Sequence, residues 1–90
     1  VATPSRQTGS ATISTIPGTL FGLVLAAGAG AAATATIREG TGDTDPVIQT
    51  LVALQGTTVP FAVPDRHGMP FQQLRVTLSG SGAEYTVYLA

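Results

Sequence analysis

Residues 20–37 read LFGLVLAAGAGAAATATI and carry no charge. How this run is read decides the fold. A transmembrane helix needs about 20 predominantly apolar residues. Here the strongly apolar content stops at Leu25, Gly22 interrupts it, and the remainder is Ala, Gly and Thr. A secretory signal would use Arg6 as its basic residue, residues 20–25 as its core and the small residues 31–35 as its cleavage region. Pro17 and Gly18 stand directly before that core, and cleavage near Ala33 would leave fewer than about 60 residues, too few for a disulfide-free core. Two strands account for more of the pattern. Residues 28–30 form a Gly-Ala-Gly break. After it Ala33, Ala35 and Ile37 alternate with Thr34, Thr36 and Arg38, which is the period of two of a half-buried strand.

Working outward, the same grammar repeats. Residues 11–16 are strand-like and end at Pro17-Gly18; residues 19–26 are a buried strand with a bulge at Gly22; residues 31–38 are the alternating strand. Residues 40–46, GTGDTDP, are a loop. Residues 47–54 suit a helical turn nearly as well as a strand, because Val47, Ile48, Leu51, Val52 and Leu54 fit both periods. Residues 57–63 are β-branched, and Pro60 demotes them to an edge or bulged strand. Residues 64–70 are a loop. Residues 71–78 and 83–89 alternate cleanly around SGSG at 79–82 and are expected to pair as a hairpin. Residues 1–10 are polar and aperiodic and are expected to form an N-terminal arm, with residues 11–90 as a single domain. The expected fold is all-β, a small antiparallel β-sandwich, jelly-roll or Ig-like, of about seven strands.

Composition limits what such a domain does. Ninety residues bury a modest fraction of their unfolded surface, and small domains usually need a disulfide, a metal or a partner. There is no cysteine and one histidine, so disulfides and a structural zinc site are not options. Only 10% of residues are charged, against about 25% in ordinary domains. The mean hydropathy is +0.32. A surface this neutral is expected to be partly covered by neighbours. Net charge is −1, and Arg6, Arg38, Arg66 and Arg75 are scattered, so a nucleic-acid footprint is missing.

Three groups of side chains are candidates for chemistry. Asp65, Arg66 and His67 share a loop and could contribute to a hydrolytic triad, but no Ser sits in a G-x-S-x-G setting. Glu39, Asp43 and Asp45 offer oxygen ligands for calcium, without EF-hand spacing. Tyr85 and Tyr88 are separated by an odd number, so one faces in and the other out; the outward one could stack on a sugar or anchor an interface. Phe21, Phe61 and Phe71 are expected in the core. Gly28-Ala29-Gly30 is too short to cradle phosphate. No catalytic, cofactor-binding or metal-binding residue is assigned, and no cofactor is expected.

Leu20, Gly22, residues 35–40 and residues 74–89 carry a resemblance. A strand of the form L-x-G-V, an alternating A-T-V-x-I-x-D-G-T strand and a terminal L-x-V-T-V…V-T-V-Y pair are similar to small β-sandwich virion proteins of tailed bacteriophages. The D-G-T of those proteins stands here as Glu39-Gly40-Thr41. The resemblance implies a non-enzymatic head-decoration or capsid-associated protein on the virion surface. Its partners would be other virion proteins, the major capsid protein first, and further copies of itself, with no nucleic acid and no membrane. The alternative is a tail or fibre component that binds a cell-surface glycan through Tyr88 and residues 65–69.

Overall fold

A computed structural model describes residues 3–64 and 66–90, with side chains from residue 5 onward. Among the described residues nine strands form in chain order: β1 (Thr3–Gln7), β2 (Ala11–Ser14), β3 (Gly18–Ala26), β4 (Ala33–Glu39), β5 (Val47–Ala53), β6 (Thr58–Ala62), β7 (Met69–Phe71), β8 (Leu74–Ser79) and β9 (Glu84–Leu89). Among the described residues no helix is long and apolar enough to cross a membrane. The apolar run of residues 20–37 is divided between β3 and β4, which lie in different sheets.

Every strand pair is antiparallel, and the partners nest. β4 pairs with β5, β3 with β6 and β7, β2 with β8, and β1 with β9. The chain is therefore one long hairpin, rolled up until β3 meets β9 and β4 meets β8. Sheet A has the order β1-β9-β3-β6, with β7 beside β3, and sheet B the order β2-β8-β4-β5. This is the double-sheet jelly roll and not the Ig-like order. The shortest extent is 18 Å, the thickness of two sheets packed about 10 Å apart.

The core is read directly from alternation. Ala33, Ala35 and Ile37 of β4, Leu74 and Val76 of β8, and Tyr85 and Val87 of β9 are fully buried between the sheets. β3 contributes Leu20, Leu23 and Leu25, which do not share one parity. A bulge explains this: opposite β9 the register shifts between Leu20 and Gly22, so both halves of the strand can send leucines inward.

Four expectations change. Residues 3–7 are not part of a free arm but the edge strand β1, in register with β9 from Thr3↔Leu89 to Gln7↔Tyr85. An edge strand is held by backbone bonds and needs no apolar periodicity; an Arg6–Glu84 ion pair adds a side-chain link. Residues 71–78 and 83–89 do not pair as a hairpin. β8 and β9 lie in opposite sheets, and the loop between them arches across the core. Gly80 (φ 116°) and Gly82 (φ 75°) adopt backbone angles that other residues rarely adopt, which lets four residues make the crossing. The chain also changes sheet at residues 72–73, splitting one expected strand into β7 and β8. Phe21 does not enter the core that Phe71 and Phe61 join, because the bulge turns it to the outside of sheet A. The ambiguous residues 47–54 are strand β5 over Val47–Ala53.

Candidate docking face

The outer face of sheet A carries an open depression of about 340 Å³ lined by Phe21, Val24, Pro60, Ala62 and Tyr88, with Gly22 in its floor. The bulge supplies Phe21; regular alternation of β3, β6 and β9 supplies Val24, Pro60, Ala62 and Tyr88. Gly22 keeps it open. A Cβ there would stand 2.6 Å from the Phe61 carbonyl oxygen, so only glycine lets β6 come this close. Tyr88 lies directly across from Gly22 in register. Tyr88 is the only lining residue with a polar side-chain group, and none is charged.

Tyr85 is the inward tyrosine, as the odd spacing predicts. It is 1% exposed, its hydroxyl donates to the Gly9 carbonyl (3.2 Å), and burial pushes its pKa up to about 12. That contact fastens the turn between β1 and β2. Nothing in the sequence near Gly9 signals it, because the partners are far apart along the chain.

The other candidate groups hold structure together. Asp43 accepts from Arg75 Nε (2.6 Å) and Thr77 Oγ1 (3.0 Å), and these bonds hold its carboxyl below the ordinary value. Asp45 Oδ2 accepts from the amides of Thr41 (3.0 Å) and Gly42 (2.8 Å), and Glu39 Oε1 from the amide of Gln72 (2.8 Å). The three carboxylates therefore face three different partners. Among the described residues no group of three His, Cys, Asp or Glu is placed to hold a metal. Arg66 and His67 lie on an exposed turn between β6 and β7, and Asp65 lies outside the described residues.

No family model and no curated protein matches the chain. A crystal structure of PirA is similar, with a TM-score of 0.58 and 16% identity over 99% of this chain and 84% of PirA. At this identity the likeness is one of fold, and it agrees with an all-β sandwich.

Proposed function

We propose that the chain is a non-enzymatic structural protein that works by docking onto a larger assembly, in the manner of a virion head-decoration subunit on the major capsid protein. The observation that carries this reading is the apolar face of sheet A, which joins Phe21, Val24, Pro60, Ala62 and Tyr88 without a charge. Half-buried aromatic and aliphatic side chains gathered on one face fit a protein surface. The sparse charge of the chain and the resemblance to phage virion proteins point the same way. Jelly rolls also serve as lectins, so fold alone does not choose. A sugar site needs several placed polar groups, and this face offers one tyrosine hydroxyl.

A subunit that binds only the assembled shell stabilises that shell by mass action. The test uses phage heads purified with and without this protein. Heads lacking it are expected to open at lower temperature, and added wild-type protein should restore them while Val24→Lys should not. Heads equally heat-resistant with and without it would remove the decoration reading.

A further inference from the structure

A sandwich has open sheet edges, and each exposes backbone groups that can pair with another strand. Three of the edges here are defended. β1 contains Pro4, which has no amide hydrogen, and Arg6, which is charged. The opposite side of sheet A is closed by β6 and β7, which contain Pro60 and Pro70. β2 is four residues long and its register slips between Thr12 and Ser14. The fourth edge, β5, has none of these devices over most of its length. It runs seven residues, VIQTLVA, without a charge or proline, and its register irregularity opposite β4 is confined to the Val47 end. No charged residue occurs between Asp45 and Asp65.

The side chains on this edge are uncharged, and those of Gln49, Thr50 and Val52 are exposed. Val52 is 58% exposed and Leu54, just past the strand, 71%, while Leu51 and Ala53 are buried in the core. An occupant must therefore be an extended strand that supplies backbone bonds and an uncharged outer row. We propose that this occupant is β5 of a second copy, paired antiparallel about a two-fold axis through Val52 and perpendicular to the sheet, so that two B sheets join into one eight-stranded sheet.

Symmetry supports a second copy. A two-fold axis sets the residue on it against its own copy, so Val52 meets Val52, a β-branched pair, where a charge would meet a like charge. β5 has none. This register keeps Leu51 and Ala53 on the core side and brings Thr50 and Val52 of both copies into one outer ribbon. The contact is one seven-residue strand pair with its flanking side chains, a small interface. The dimer is therefore concentration-dependent. This seam is separate from the face of sheet A, and its test does not depend on the docking reading.

The experiment is sedimentation equilibrium of the full chain across a dilution series, with Val52→Lys and Val52→Glu run alone and mixed. Wild type is expected to rise from 9.1 kDa toward twice that mass with concentration. Each variant alone should stay monomeric with an unchanged melting temperature at high dilution, since Val52 is outside the core. Their equimolar mixture should regain the dimer. Tyr88→Ala should dimerise like wild type. A monomeric wild type, a dimer that survives Val52→Lys, a mixture that stays monomeric, or a dimer lost in Tyr88→Ala would each overturn the inference.

Discussion

The two sheets share one core yet present opposite outer faces. On sheet B the outward rows read Thr12–Arg75–Arg38, Thr77–Thr36–Thr50 and Ser79–Thr34–Val52 across neighbouring strands. Arg75 and Arg38 are directly paired, a like-charge contact that would be unfavourable alone. It is relieved because Asp43 binds Arg75 and the Asp45 carbonyl accepts from Arg38 (2.9 Å). Sheet A has the apolar depression, with the Arg6–Glu84 ion pair on the same outer face. The difference teaches that inward alternation sets the fold while outward positions are free to diverge, so function is to be sought where the outward residues are apolar.

The shared core is the part of this comparison most open to breakage. Leu23→Ala in sheet A and Leu74→Ala in sheet B should each cost about 2–5 kcal/mol in denaturant unfolding, since both side chains are fully buried. A large loss for one and none for the other would mean the sheets do not share a core.

Gly22→Ala probes the face of sheet A. Its Cβ would press the Phe61 backbone, and a loss of about 1–3 kcal/mol is expected. On the proposed docking reading, the same variant should bind phage heads less tightly even where it remains folded.

Tyr85→Phe removes the bond to Gly9 and should cost about 1 kcal/mol. Its pH dependence has a definite sign. The folded pKa is raised, so the folded state keeps a proton that the unfolded chain releases above its ordinary value of about 10. That stabilisation is complete below pH 10 and is lost as pH rises toward about 12. Thermal unfolding from pH 9 to 12 should steepen for wild type and flatten for Tyr85→Phe.

The smallest effect belongs to sheet B. The Asp43 carboxyl is held below its ordinary value by Arg75 and Thr77, so its contribution is present at neutral pH and fades as pH falls below about 4. Asp43→Asn should lower the melting temperature slightly at neutral pH, and the gap to wild type should close in acid.

Period-two alternation made β3, β4, β8 and β9 legible, since burying one face of a strand leaves a local imprint. The inward Tyr85 and outward Tyr88 followed from the same rule. Residues 3–7 left no imprint, because an edge strand is held by backbone bonds that any sequence supplies. The docking face was illegible for a related reason. Phe21 faces out only because the register slips beside it, and Val24, Pro60 and Tyr88 come from three strands whose adjacency no local pattern encodes.

By itself the sequence determined an all-β chain, the leucines and alanines that fill its core, and the lack of a disulfide or zinc framework. Only the tertiary structure decided which strands pair. It placed β8 and β9 in opposite sheets, rolled β1 onto β9, and left β5 as an undefended edge. The physical reason is range: alternation is a property of neighbouring residues, whereas pairing depends on backbone bonds between segments as far apart as Thr3 and Leu89.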